Sequence, residues 1–141
     1  MILDLISKQM IYYTIDLNTF LAITSFIDVV HIHNFGISFG FFSGTFSSWV
    51  FILIGIIVTG VILYMLMKSR NDVEKWGLTA IIAGALSNIA DRTMNGYVID
   101  FIYLHYKDFY WPAFNFADIY ISVGIFIIVL HLLRNLNKKI K

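Results

Sequence analysis

The run FSSWVFILIGIIVTGVILYMLM, residues 46–67, decides the fold, because it is mainly apolar and carries no charged side chain. A helix that crosses a bilayer needs about 20 predominantly apolar residues. Residues 116–133 form a second run of this kind, with Asp118 close to its start and His131 near its end. The sequence therefore predicts at least two transmembrane helices.

Two weaker runs extend this prediction. Residues 76–91 are uncharged until Asp91, and their small side chains suit close contact between helices in lipid. Residues 8–26 are the weakest candidate, because Asp16 lies near the middle. We predict an all-α membrane protein in which residues 1–141 form a single domain with four transmembrane helices.

The composition agrees with a membrane location. The chain is 59% hydrophobic and 13% charged, with a mean hydropathy of +0.78, whereas soluble domains are about 45–50% apolar and about 25% charged. The net charge of +1 gives no support for a nucleic-acid partner. The lack of cysteine excludes disulfides, thiolate metal sites and a cysteine nucleophile. We expect no metal and no cofactor.

The basic residues predict the orientation. Cytoplasmic loops are enriched in lysine and arginine, and such residues concentrate in the 68–75 loop and after residue 133. Both termini are therefore expected in the cytoplasm, with the segments 27–45 and 92–115 outside. These outer segments are β-branched and aromatic, with glycines at Gly36 and Gly40, which favours short strands with bends. We predict a small extracytoplasmic β-rich segment at the outer membrane surface.

Ionisable residues at membrane depth are costly, and each is a candidate for function. Asn88 and Arg92 are four residues apart and share a helix face, and Asp91 lies beside them. One interpretation is a hydrogen-bonded knot that fixes the end of this helix. The other is that Arg92 supplies positive potential to nearby carboxylates.

Asp118 follows Asn115 by three residues, as in a helix-capping motif. Capping and catalysis are compatible here, since a rigid helix start would hold the carboxylate in place. Asp100 lies in an apolar strand-like segment, where a surface kink or a salt bridge to Arg92 is the alternative explanation. Two close aspartates can share one proton and activate water for peptide hydrolysis.

Other chemistries fit less well. His31 and His33 would point the same way on a strand and could form a metal pair, although such residues are more often polar side chains at the membrane interface. The histidines lack zinc-protease spacing, and the sequence has no G-x-S-x-G element. Ser47 and Ser48 have no evident partner base.

Four segments match the motifs of one known protein family. Residues 84–92 match G-A-x-x-N-x-x-D-R and residues 96–101 match G-x-V-x-D-F. Residues 112–118 match P-x-F-N-x-A-D, and residues 34–39 are similar to N-x-G-x-x-F. Each motif alone is weak, but with their common order and spacing the chain resembles the signal peptidase II family of lipoprotein signal peptidases specifically, across roughly residues 28–125.

The resemblance implies that Asp100 and Asp118 form a catalytic dyad. It implies supporting or substrate-holding roles for Asn34, Asn88, Arg92 and Asn115, and we assign structural roles to Gly36, Asp91 and Asp16. The implied substrate is a prolipoprotein, cleaved before its diacylglyceryl-modified cysteine at the outer face of the bacterial cytoplasmic (inner) membrane. The resemblance also implies sensitivity to the cyclic peptide globomycin, and we expect a monomer in contact with membrane lipid.

The N-terminal part departs from the family pattern. The first span of the family carries an acid, then a glutamine and shortly afterwards a lysine, whereas Asp16 is followed by Leu17, Asn18 and Thr19. Asp16 is thus matched by position alone, and the chain is short for the family.

Two other functions remain open at the level of sequence. One is a small channel or proton-coupled transporter, which predicts acids along the depth of the bundle. The other is a catalytically inactive interaction protein of the same fold. Asp100→Asn and Asp118→Asn would separate both from a peptidase.

Overall fold

The computed structural model describes residues 1–36 and 44–140. Its elements are four helices and four short strands: α1 Ile2–Thr14, β1 Phe20–Ala22, β2 Ile27–Asn34, α2 Ser48–Lys68, α3 Asp72–Asn95, β3 Val98–Tyr106, β4 Phe109–Tyr110 and α4 Phe116–Ile140. The protein is therefore mostly helical, with a small antiparallel sheet. Residues 37–43, which include Gly40 and the end of the N-x-G-x-x-F segment, lie outside the described residues.

Two helices among the described residues are long and apolar enough to cross a membrane. Ser48–Lys68 has a mean hydropathy of 2.8 and Phe116–Leu136 one of 2.2. Large apolar side chains of α2, such as Leu53 and Ile57, are more than half exposed. A contiguous apolar surface of this kind is unfavourable in water and stable against lipid.

Small residues bring α3 and α4 together. A methyl group added at Gly84 would collide with the Ala117 carbonyl and with Ile121, and one added at Gly77 would lie 2.9 Å from the Gly124 oxygen. The backbones approach closely because these positions lack side chains. This contact sets the position of the first turn of α4 relative to the C-terminal half of α3.

The sheet has the strand order β1-β2-β3-β4, with antiparallel neighbours. Ile32 pairs with Asp100 and Asn34 with Val98, and the register shifts between Val29 and Ile32. α3 leads into this sheet through Gly96, whose φ of 82° gives the left-handed conformation common at helix C-termini. The predicted β-rich segment is thus present at the end of the bundle where α3 finishes.

The expected first span over residues 8–26 is wrong. α1 ends at Thr14, and residues 20–22 form an edge strand. Asp16 is exposed in the intervening turn, where its carbonyl accepts a hydrogen bond of 3.1 Å from the Thr19 N–H, and Asn18 has a φ of 61°. Aspartate and asparagine favour such turns, and the apolar residues after them belong to the sheet. Asp16 therefore does not lie within a span.

α1 places its charged residues inward and its apolar residues outward. Asp4 and Lys8 are 0% and 1% exposed, whereas Ile2, Ile6 and Met10 are exposed. This is the reverse of an amphipathic helix on a soluble protein. It fits a helix that packs a polar face on the bundle and presents its apolar face to lipid.

Candidate active site

Asp100 points into the protein from the middle of β3. Only 3% of the residue is exposed. Its two carboxylate oxygens accept hydrogen bonds from the Nδ2 atoms of Asn34, at 2.9 Å, and Asn115, at 2.7 Å. Arg92 instead donates to the carbonyl of Gly36, at 2.6 Å. Both alternative explanations of Asp100, the surface kink and the salt bridge to Arg92, are therefore wrong.

Asp118 lies in the first turn of α4 and is held by a reciprocal cap. The Asn115 Oδ1 accepts from the Asp118 N–H at 3.0 Å, and the Asp118 Oδ2 accepts from the Asn115 N–H at 3.2 Å. The other oxygen, Oδ1, accepts from the Asn88 Nδ2 at 3.0 Å. The predicted cap is confirmed, and it also fixes the direction of the carboxylate.

The two carboxylates line one cavity of about 240 Å³. Asn115 contacts both of them, through its side chain to Asp100 and its backbone to Asp118. The cavity brings together all of the predicted catalytic and supporting residues: Asn34, Asn88, Arg92, Asp100, Asn115 and Asp118. Its remaining wall is mainly apolar and includes Phe51, Ile54, Val58 and Ile121.

The surroundings of Asp100 favour its protonated form. Burial, followed by the negative charge of Asp118, raises the pKa of Asp100 to about 7. Hydrogen bonds from Asn34 and Asn115 and the positive charge of Lys8 act in the opposite direction. Near neutral pH this carboxyl group can therefore hold or release a proton, as shared-proton chemistry requires.

Gly36 and Arg92 connect the site to the first outer segment. The Gly36 N–H donates to the Asn34 Oδ1 at 2.9 Å, which leaves the Nδ2 of Asn34 facing Asp100. The Arg92 guanidinium lies over the Phe51 ring, 5.6 Å from its centroid. Among the described residues its buried Nε has no hydrogen-bond partner.

Asp91 lies behind the cavity, and its contacts join α3 to β3 and to α1. It accepts from the Asn95 side chain at 2.6 Å and from the Ile99 N–H at 2.8 Å. It also forms an ion pair with Lys8 at 3.3 Å. For Asp91 the hydrogen-bonded knot is the interpretation that these contacts support.

Asp4 and Lys8 are the polar residues that the sequence reasoning missed. Asp4 accepts from the Ser87 Oγ at 2.8 Å and the Ala117 N–H at 2.9 Å, and it pairs with Lys8 at 2.8 Å. Their spacing of four residues, acid before base, is the signal that could have found them. They were missed because the first helix was placed too far along the chain.

The histidines of β2 are held by neighbouring groups. The Nδ1 of His31 lies 2.7 Å from the Ile15 carbonyl, and its Nε2 lies 3.1 Å from the Nε2 of His33. The His33 ring stacks on Tyr97 with 3.6 Å between centroids. These contacts join the turn after α1 to the sheet.

Comparison with known proteins adds independent information. The sequence model of a family described as Signal peptidase (SPase) II matches residues 1–134. The lipoprotein signal peptidase of Thermodesulfovibrio yellowstonii is 42% identical over 98% of this chain and 90% of its own length. That of Pseudoalteromonas atlantica is 36% identical over 95% of this chain and 84% of its own length.

Two solved structures, both described as bacterial membrane enzymes, share the fold. The structure determined at 2.3 Å has a TM-score of 0.90 and 28% identity, covering 98% of this chain and 85% of the solved one. The structure at 1.9 Å has a TM-score of 0.82 and 29% identity, covering 94% and 86%. Similarity of sequence and of fold thus extends along nearly the whole chain.

Proposed function

The chain belongs to the signal peptidase II family of lipoprotein signal peptidases, and on this basis we propose that it is a membrane aspartic endopeptidase with Asp100 and Asp118 as its catalytic pair. It removes signal peptides from prolipoproteins by cleaving before the diacylglyceryl-modified cysteine. The observation that carries the proposal is that both carboxylates line one cavity and are held by the same residue, Asn115.

The proposed chemistry uses one proton shared by the pair. The ionised aspartate takes a proton from water as the water oxygen attacks the scissile carbonyl carbon. The protonated aspartate gives its proton to the carbonyl oxygen, which produces a tetrahedral intermediate. As the C–N bond breaks, a proton passes to the leaving nitrogen, yielding a new carboxyl group on the signal peptide and a free amine on the cysteine. The pKa of about 7 for Asp100 supports such sharing near neutral pH.

The mixed lining of the cavity supports a lipid-anchored peptide as substrate. Its polar end carries the carboxylates and amides, and its apolar wall includes Phe51, Ile54 and Val58 of α2. A substrate anchored in lipid would enter from the side, between helices, with its scissile bond at the polar end. Globomycin would compete for the same cavity. One chain supplies all of the proposed catalytic and supporting residues, which is compatible with a monomer.

We further propose that all four helices lie in the bacterial cytoplasmic membrane, with the sheet outward. The basic residues support this orientation, because they concentrate at the α2–α3 connection and the C-terminus. α1 is directed with its N-terminus toward that basic side. The chain has no cysteine, so single cysteines at exposed Asp108 and Asn71 provide a clean test. A membrane-impermeant maleimide added to intact cells should label only the first, and the reverse pattern would overturn the orientation.

The distribution of acids favours a peptidase over a transporter. Asp4, Asp91, Asp100 and Asp118 lie in or directly behind the cavity. α2, which spans Ser48–Lys68, contains no acid, whereas a proton or ion pathway needs polar groups along its depth.

The decisive experiment measures cleavage of a diacylglyceryl-modified prolipoprotein by the purified protein in detergent or vesicles. Asp100→Asn and Asp118→Asn should each reduce kcat by at least about 1,000-fold, since each removes a general acid or base. Both should retain the fold, because asparagine has nearly the same size and shape as aspartate. Thermal unfolding monitored by circular dichroism checks this.

Asp16→Asn is the matched control. This acid is exposed in the turn after α1, so its neutralisation should leave cleavage within about 2-fold of wild type, as for surface changes away from a site. Retained cleavage by either Asp100→Asn or Asp118→Asn would refute the aspartic mechanism.

A further inference from the structure

Lys8 is a buried cation that contacts the site only from behind. It is 1% exposed and is absent from the residues that line the cavity. Its Nζ donates to the Asn88 Oδ1 at 2.8 Å, and it forms ion pairs with Asp4 at 2.8 Å and Asp91 at 3.3 Å. Its three partners equal the number of hydrogen atoms that an ammonium group can donate.

The contact with Lys8 determines which way the Asn88 amide points. An ammonium group has no acceptor, so the atom of Asn88 that faces it must be the carbonyl oxygen. The NH2 group must then face the other way, where its nitrogen lies 3.0 Å from the Asp118 Oδ1. A flipped Asn88 would present an oxygen to a carboxylate and an NH2 group to a cation, and both contacts would be repulsive.

The other two asparagines of the site obtain the same orientation from the backbone. The Oδ1 of Asn34 accepts from the Gly36 N–H at 2.9 Å, and that of Asn115 accepts from the Asp118 N–H at 3.0 Å. Each then directs its NH2 group to Asp100. Asn88 differs, because the donor that orients it is a charged side chain from another helix.

We propose that Lys8 is a positioning residue of the proposed peptidase, which holds the Asn88 amide so that its NH2 group faces Asp118. This inference rests on the proposed function. It gives α1 a specific task in the reaction, although no residue of α1 lines the cavity.

The charge of Lys8 adds a second, measurable effect. Its positive charge lowers the pKa of Asp100, opposing burial and the negative charge of Asp118. The other charged groups around this network are Asp4 on α1 and Asp91 and Arg92 on α3. Loss of the cation should therefore move the pH–activity profile toward higher pH.

The test compares Lys8→Met with Asp4→Asn in the prolipoprotein cleavage assay. Both changes remove the Asp4–Lys8 ion pair, but only Lys8→Met removes the donor to Asn88. Lys8→Met should lower kcat about 10- to 100-fold, the value of a hydrogen bond to a charged group. KM should change less than about 3-fold, because Lys8 does not line the cavity. The apparent pKa that describes the acid limb of the kcat–pH profile should increase by about 0.5–1 pH unit. Asp4→Asn should show neither the loss in kcat nor the upward shift.

A double-mutant cycle separates positioning from general support of the fold. If Lys8 acts through Asn88, adding Lys8→Met to Asn88→Ala should lower kcat by less than about 2-fold more. Additive losses would overturn the proposal, as would an unchanged kcat and pH profile in Lys8→Met. If Lys8→Met alone does not fold, Lys8→Met/Asp4→Asn removes a cation and an anion together and serves in its place. Suppose that Asp100→Asn and Asp118→Asn abolish cleavage but Lys8→Met cleaves as wild type does. This inference would then be refuted, and the proposed function would still stand.

Discussion

The two carboxylates of the cavity are held by different kinds of structure. Asp100 projects from a strand, is almost fully buried, and receives amides that are oriented by backbone N–H groups. Asp118 begins a helix, is half-buried, and receives an amide oriented by Lys8. The sheet-side carboxylate, Asp100, therefore depends on strand pairing, whereas the helix-side carboxylate, Asp118, depends on the packing of three helices.

This difference indicates where the site is vulnerable. Strand pairing between β2 and β3 fixes the backbone of Asp100 through a ladder of hydrogen bonds on either side. The position of Asp118 instead follows from a close approach of α3 and α4 at Gly84. Changes in helix packing should thus affect the helix side first.

Among the described residues, Asn115 is the one that donates hydrogen bonds to both carboxylates, and its replacement should produce the largest effect outside the pair itself. Asn115→Ser keeps a side-chain oxygen to cap α4 but removes the Nδ2 donor to Asp100. We expect kcat to fall about 10- to 100-fold, since a hydrogen bond to a charged group is lost, with little change in thermal stability. Asn115→Ala, which also removes the cap, should lose a further ~1 kcal/mol of stability. Equal activity of Asn115→Ser and wild type would show that the sheet side does not need this donor.

Gly84→Ala should disturb the helix side alone. The added methyl group would meet the Ala117 carbonyl and, at 2.8 Å, the Cγ1 of Ile121, which would push the start of α4 away from α3. We expect a loss of about 1–3 kcal/mol in stability, as for overpacked cores, together with reduced cleavage. Gly60→Ala on α2 is the control, because a methyl group there has no atom within 4 Å. It should be neutral or stabilise by about 0.5–1 kcal/mol. Similar effects of the two changes would argue against the close contact of α3 and α4.

The titration of Asp100 predicts an effect on stability alone, confined to the sheet side. Its pKa is about 7 in the folded protein and about 3.9 in an unfolded chain. Between these values the folded state retains a proton that the unfolded state has lost, so stability should decrease as pH rises from about 4 to 7. Asp100→Asn should lack this contribution. Its stability relative to wild type should therefore increase by about 1 kcal/mol for each unit that pH rises across that window. Unfolding in detergent at pH 5 and pH 7 measures the difference, and parallel curves would contradict the raised pKa.

Much of the site could be predicted from local sequence. Asn115 and Asp118 are three residues apart, so their reciprocal cap follows from helix geometry alone. Asn88 and Arg92 share a face because they lie one turn apart on α3. The strands were also predictable, since residues 27–34 and 98–106 are β-branched and aromatic.

The first helix shows where this local reasoning failed. Apolar residues on both sides of Asp16 suggested a span over 8–26, although Phe20–Ala22 is apolar because it pairs with β2. An apolar run of this length does not distinguish a strand at a membrane surface from part of a helix. Asp4 and Lys8 were missed for a second reason, because their partners, Ser87 and Asn88, lie 83 and 80 residues away along the chain.

The sequence by itself determined that this is an apolar, helical membrane protein and which side chains could carry acid–base chemistry. These properties follow from composition and from spacings of a few residues, which each segment keeps in any surroundings. Only the tertiary structure decided that Asp100 and Asp118 line one cavity, and that Lys8 supports Asn88 from a separate helix. Such contacts join residues distant in the chain, and they exist because helix packing and strand pairing bring those residues together.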